Sequence, residues 1–207
     1  MAEPAPPKLY LATPTRFDLS RLTALLPQVL DRAPVACLRL SRAGQDADAM
    51  TRLADMLRPL AHAHDIPIVA DDLAQVAARA GLDGVHLTDG PGRLRDARKT
   101  LGKDAIIGVF CGASRHAGLT AGELGADYVS FGPVHGGPAA VADDIADGAL
   151  FAWWAEMVEV PVVAEGGLTE AAAGTTLGPA DFLMLRDEIW LAEDGPEAAA
   201  SRWAAYA

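Results

Sequence analysis

Two short patterns in this sequence have the residue types for phosphate and divalent-cation chemistry. Gly166-Gly167-Leu168-Thr169 follows an apolar run and ends in a threonine suited to capping a helix. A glycine pair there lets backbone N–H groups converge on an anion at a helix start, the usual phosphate cradle after strand seven of an α/β barrel. The same pair also serves simply to turn a corner, so the motif points to phosphate only through its place in a fold. Asp71-Asp72 likewise follows an apolar run. Carboxylates at a helix start are favoured by the helix dipole whatever their function, which is reason enough for Asp72. Asp71, directly on the end of the run, is better placed to hold a Mg²⁺ ion that also takes phosphate oxygens.

Histidine supplies the other chemistry. His116 and His135 fall in loops, where either can act as a general acid or base near neutral pH, although loop histidines without a visible partner are commonly just solvated. His86 sits inside an apolar run and is expected to pack or hydrogen-bond in the interior, whereas His62 and His64 belong to a helix end. Cys37 and Cys111 read as buried small hydrophobes rather than nucleophiles. Trp153-Trp154 reads as helix packing, with the apolar residues around it as the place where copies of the chain would meet in a homo-oligomer.

The elements that must position these groups alternate regularly. Short apolar runs at Leu9–Thr13, Ala36–Leu40, Pro67–Ala70, Val85–Thr88, Ala105–Phe110, Tyr128–Gly132, Pro161–Ala164 and Phe182–Leu185 read as strands. Between them lie helical patterns, such as Asp18 or Ser20 to Asp31 with Leu22, Leu25, Leu26, Val29 and Leu30 on one face. Three joints, at Gly81, Gly125 and Gly178, place glycine after a helix and before a strand. The strands have no polar face, as strands buried on both sides require. The pattern predicts an α/β fold: a parallel (β/α)8 TIM barrel in one domain over residues 1–207, with 1–7 as an extended lead-in. An open doubly wound sheet predicts a glycine-rich loop after strand one, but Thr13-Pro14-Thr15-Arg16 has no glycine. In a barrel the site lies at the carboxyl ends of the strands. Those ends carry Thr13, Arg16, Arg39, Ser41, Asp71, Asp72, Thr88, Asp89, Cys111, Arg115, His116, Ser130, His135, Glu165 with Gly166 and Gly167, Arg186 and Asp187.

The totals exclude several classes. A net charge of −11 argues against general nucleic-acid binding and against an anionic membrane surface. No apolar run is long enough for a membrane span, no signal-peptide pattern opens the chain, and two cysteines make no disulfide framework; a cytoplasmic protein is expected.

Three stretches resemble the thiamine-phosphate synthase and TenI superfamily: Gly81-Leu82-Asp83-Gly84-Val85-His86-Leu87, Gly125-Ala126-Asp127-Tyr128-Val129-Ser130-Phe131-Gly132-Pro133-Val134 and Pro161-Val162-Val163-Ala164-Glu165-Gly166-Gly167-Leu168. They occur in the family order, and the resemblance runs from about Leu9 to Ile189. It implies a (β/α)8 barrel that joins a hydroxymethylpyrimidine diphosphate to a thiazole phosphate. In that reaction Mg²⁺ assists departure of the diphosphate, and the thiazole nitrogen captures the pyrimidine cation. The TenI branch instead aromatises the thiazole phosphate by a proton shift. Of the family's strand-two Gln-x-Arg-x-Lys, this chain keeps Arg39 within Cys37-Leu38-Arg39-Leu40-Ser41. The Asn-Asp after strand three corresponds to Ala70-Asp71 on this reading, and Asp89 stands in for a second metal ligand from a shifted position. Asp187 falls where the family has a phosphate-binding serine, and the loop after strand six lacks the family's threonines and lysine.

The expected site follows. Arg39, His116 and Ser130 serve catalysis; Arg39, Arg115, Gly166, Gly167 and Arg186 bind phosphate; Asp71 and Asp89 hold Mg²⁺; the Pro133–Asp144 loop has glycines that permit a lid. The ligands are small phosphorylated pyrimidines and thiazoles. The alternatives are a TenI-like tautomerase or other repurposed enzyme, or a barrel that has lost catalysis and binds a thiamine-related ligand or a protein.

Overall fold

A computed structural model describes residues 6–135 and 145–207. Eight short strands form its centre: β1 (Lys8–Ala12), β2 (Val35–Leu40), β3 (Ile68–Asp71), β4 (Gly84–Leu87), β5 (Ile106–Phe110), β6 (Tyr128–Phe131), β7 (Val162–Glu165) and β8 (Phe182–Leu185). Each pairs in parallel with the next, and β8 pairs with β1, so the sheet closes in sequence order. This is the barrel that the alternation of apolar runs and helical patterns implies, with no strand end moved by more than one residue.

The helices between the strands start where side chains can satisfy free N–H groups. Asp18 caps α1 (Leu19–Leu30), Asp46 caps α2 (Ala47–His62), Ser114 caps α5 (Arg115–Glu123) and Asp147 caps α6 (Gly148–Met157). The others are α3 (Ala74–Ala80), α4 (Leu94–Leu101), α7 (Glu170–Ala173), α8 (Asp187–Trp190) and α9 (Pro196–Trp203). Their apolar faces and the outward residues of the strands form one continuous core. None of the described helices is long and apolar enough to cross a membrane.

Two differences from the sequence pattern have local causes. Asp72 does not open a helix: β3 runs on to Asp71, Asp72 turns the chain at φ +57°, and α3 begins at Ala74. The short α8, absent from the sequence reading, follows β8 directly, and its Trp190 indole N–H donates to the Ala12 carbonyl at 2.7 Å. Trp154 packs as its sequence reading expects: it is fully buried against Phe131, with its indole N–H on the Val160 carbonyl at 2.7 Å. Only Trp153 of the pair is partly exposed, and the Arg115 guanidinium covers it at 4.6 Å.

Alternate strand residues point into the barrel. At its amino-terminal end Tyr10, Val69, Tyr128, Val163 and Met184 fill it with apolar mass, helped by Cys37, Ile106 and Phe182. The Tyr128 ring fits only because β5 carries glycine opposite: a Cβ on Gly108 would lie 1.9 Å from a carbon of that ring. Gly108→Ala is expected to force Tyr128 off its position and destabilise the chain by about 1–3 kcal/mol, the usual range for overpacking. A lower urea midpoint with an unchanged slope is the expected signature; a midpoint within error of the parent would show that the ring moves freely.

Candidate active site

Above the apolar plug the interior turns polar. Thr13, Arg39, Ser41, Asp71, His86, Ser130 and Glu165 are all buried, all at or near the carboxyl ends of their strands. Buried charges need partners, because desolvation otherwise neutralises or expels them. Arg39 has two. Its Nε donates to Asp71 Oδ1 at 2.6 Å and its Nη1 to Glu165 Oε2 at 2.9 Å, so one guanidinium links β2 to β3 and β7. Asp71 Oδ2 accepts the Arg42 backbone N–H at 3.1 Å. Burial works against the Arg39 charge, but Glu165 and Asp71 outweigh it and hold the group above its ordinary value. The backbone around it is pinned as well: Thr13 N–H donates to the Arg39 carbonyl and Thr13 Oγ1 accepts the Ser41 N–H, both at 2.9 Å.

A second network lies beside the first. Tyr10 and Tyr128 share a hydrogen bond of 2.6 Å between their hydroxyls, and His86 Nδ1 meets the Tyr128 hydroxyl at 2.9 Å. Burial, then the charges of Arg39 and Arg186, push the His86 imidazole well below its ordinary value. Burial also pushes the Tyr10 and Tyr128 phenols up, so both stay neutral. His86 Nε2, Ser130 Oγ, Ser41 Oγ and Arg186 Nε are buried without a partner among the described residues. Native interiors rarely leave such atoms unpaired, so four of them around one barrel mouth mark a place for a polar ligand.

The expected site residues divide into two groups. Arg39, Asp71 and Ser130 come together in the barrel interior, and Arg186 joins them from the end of β8 with a buried Nε. Gly166 and Gly167 follow β7 at φ +83° and +77°, where glycine alone is unstrained, and the Gly166 carbonyl accepts the Val134 N–H at 2.9 Å. Arg115 and His116 do not join them; both are exposed on the first turn of α5, with Arg115 turned onto Trp153. His135 is exposed. Most of the loop expected to act as a lid, residues 136–144, lies outside the described residues.

Asp89 stands apart from Asp71. Asp71 has one oxygen on Arg39 and the other on the Arg42 N–H, whereas the mostly exposed Asp89 is ion-paired to Arg93 at 2.8 Å. The carboxylate that meets Asp89 at a shared positive charge is Asp72, 2.7 Å from the same Arg93 nitrogen. The turn at Asp72 is the cause, since it sends Asp71 inward and Asp72 toward the loop after β4, where it accepts the Thr88 N–H at 2.9 Å. Every one of these carboxylates already has a guanidinium donor, and the described residues contain no group of three or more His, Cys, Asp or Glu side chains able to hold a metal. The residues present therefore do not fit a Mg²⁺ site on Asp71 and Asp89.

Both cysteines are protonated thiols, each pushed up to about 12 by burial first. Glu165 is the main residue whose part the sequence concealed. It is visible as a polar residue closing an apolar strand, but its partner lies 126 positions away.

The buried histidine gives a pH test. The unfolded chain protonates His86 near 6.5, while the folded chain holds it neutral to lower pH. Below that value the unfolded state binds the extra proton, so this contribution is full above it and is lost as pH falls toward the folded value, by up to about 1.4 kcal/mol per pH unit. Urea unfolding of the parent and of His86→Gln at pH ~7 and ~5 checks this linkage. The parent should lose stability more steeply on acidification; equal losses would place the effect elsewhere.

Comparison with known proteins agrees with this architecture. The family model for thiamine monophosphate synthase matches residues 9–178. The thiamine-phosphate synthase of Rhodospirillum centenum is 41% identical over 193 residues, covering 93% of each chain. That of Erythrobacter litoralis is 36% identical over 198 residues, covering 91% of each. Among solved structures, the thiamine phosphate pyrophosphorylase of Pyrococcus furiosus superposes with a TM-score of 0.80 at 24% identity, over 94% of this chain and 92% of the other. A 3-hexulose-6-phosphate synthase superposes with a TM-score of 0.68 at 19% identity, a likeness of fold alone. With residues 9–178 matched by the family model and a relative 41% identical over 93% of each chain, the chain belongs to the thiamine monophosphate synthase family.

Proposed function

We propose that this protein is a transferase that joins a hydroxymethylpyrimidine diphosphate to a thiazole phosphate, forming thiamine phosphate and releasing diphosphate. The observation that carries this reading is the pair of guanidinium groups, Arg39 and Arg186, set in a polar barrel mouth whose buried atoms await a ligand. The C–O bond from the pyrimidine methylene to the diphosphate breaks, the electron pair leaves with the diphosphate, and the thiazole nitrogen supplies the pair for the new C–N bond. Arg186 is suited to the departing anion, because its Nε is buried and has no described partner. Asp71 and Glu165 give the Arg39 network one more negative than positive charge, which suits a pyrimidine carrying positive charge. Fixed charges in a water-poor site stabilise such changes without reorganising first. Gly166 and Gly167 are proposed as the backbone bed of the thiazole phosphate.

Mg²⁺, which the family resemblance implies, would neutralise diphosphate oxygens; no step is assigned to it, because the expected ligands are held by other donors. The proposal sets the reaction in the cytoplasm. A second reading is favoured by one observation: Arg39 is already shared between two carboxylates, which suits a less highly charged ligand, as in a thiazole proton shift.

Incubating the protein with both phosphorylated substrates and following thiamine phosphate and diphosphate separates the readings. Coupled formation of both products is expected. Arg39→Lys keeps a charge but cannot bridge Asp71 and Glu165, and should lower kcat/KM about 100-fold or more, as loss of one preorganised charge contact does. Arg186→Gln should weaken substrate binding by about tenfold through loss of one charge-assisted contact. Isomerisation of the thiazole phosphate without coupling would establish the second reading instead.

A further inference from the structure

The corner where the loops after β3 and β4 meet contains a charge bridge that the transferase reading does not use. Asp72, at φ +57°, is held there by Thr88, whose N–H donates to Asp72 Oδ1 at 2.9 Å and whose hydroxyl donates to Oδ2. Arg93 Nη2 donates to the same Oδ1 at 2.7 Å and to Asp89 Oδ1 at 2.8 Å, while Arg93 Nε reaches Asp89 Oδ1 at 3.3 Å. Two carboxylates from neighbouring strand ends thus converge on one guanidinium nitrogen. The local sequence produces this: Gly90-Pro91-Gly92 breaks the chain, and a 3₁₀ turn over Pro91–Arg93 brings Arg93 back over Asp89, four residues before it.

Two convergent carboxylates are also what a divalent cation sharing phosphate oxygens requires. Here the shared positive charge belongs to the chain. Mg²⁺ needs six oxygens at about 2.0–2.1 Å and gives up its waters reluctantly, so it could enter only by displacing the Arg93 contacts and then lying beside a like charge. Asp72 has donors on both oxygens already. We propose that Arg93 is a built-in cation that closes the Asp72–Asp89 pair, so that no divalent cation binds the protein at this corner. The inference concerns the resting protein and stands apart from the transferase reading. A metal-binding result and a turnover result therefore fail independently.

Mn²⁺ titration of the full chain, followed by the loss of the free-ion EPR signal, tests it. The parent should show no site at this corner, so Asp72→Asn should leave its Mn²⁺ uptake unchanged. Arg93→Ala and Arg93→Gln should each gain one site, binding at least about tenfold tighter than any in the parent, because Asp72 and Asp89 then face each other with no positive charge between them. The gain should vanish in the Arg93→Gln, Asp72→Asn double variant. Two results would overturn the proposal: Mn²⁺ uptake by the parent that Asp72→Asn abolishes, or folded Arg93 variants, judged by an unchanged melting profile, that gain no site.

Discussion

The charge on Arg39 is the constraint around which this barrel is built. A guanidinium almost wholly removed from water must be answered by carboxylates, and these come from Asp71 on β3 and Glu165 on β7. The bridge runs across the barrel mouth rather than along one wall, so it fixes three strand ends against one another. Buried ion pairs of this kind often do no more than break even against an apolar core, while removing one partner is strongly destabilising. The value of the bridge is therefore positional. Stability comes from the apolar mass below it and from the helices packed around it.

The electrostatics of the mouth follow from that arrangement. His86, below the bridge, feels Arg39 and Arg186 and stays neutral, which leaves its Nε2 as a hydrogen-bonding atom and not a charge. Asp187 looked from the sequence like a carboxylate set against a phosphate. Instead it is exposed, lining an open cleft with Glu170, Glu188, Glu193, Asp194 and Arg202. Its charge faces water and is screened, whereas the neighbouring Arg186 places its Nε in the interior. One short helix after β8 accomplishes this division, tied to the end of β1 by Trp190.

The fold was legible because every strand is a short run buried on both faces and several joints are marked by glycine. The site was legible only in part. Arg39, Asp71 and Arg186 could be found because they sit at strand ends, where a barrel exposes its chemistry. Three features were not written locally. A positive φ is rare for aspartate, so nothing in Asp71-Asp72 shows that the two side chains diverge. Arg115 follows β5 as a phosphate ligand would, yet the face of Trp153 competes for its guanidinium, and that contact joins two helices. Glu165 pairs with a residue 126 positions away, a distance over which only the closed barrel brings them together.

These divergences bear on how far a family's chemistry travels with its fold. The barrel can be kept intact while its charges are redistributed, because the strands require only that inward positions be filled and buried charges be paired. A guanidinium satisfies Asp72 and Asp89 without demanding octahedral oxygens. It also leaves that corner one negative charge in excess, with Asp72 and Asp89 against Arg93. In this chain the guanidinium groups of Arg39 and Arg93 are each closed by two carboxylates, while Arg186 after β8 keeps a buried Nε without a partner among the described residues.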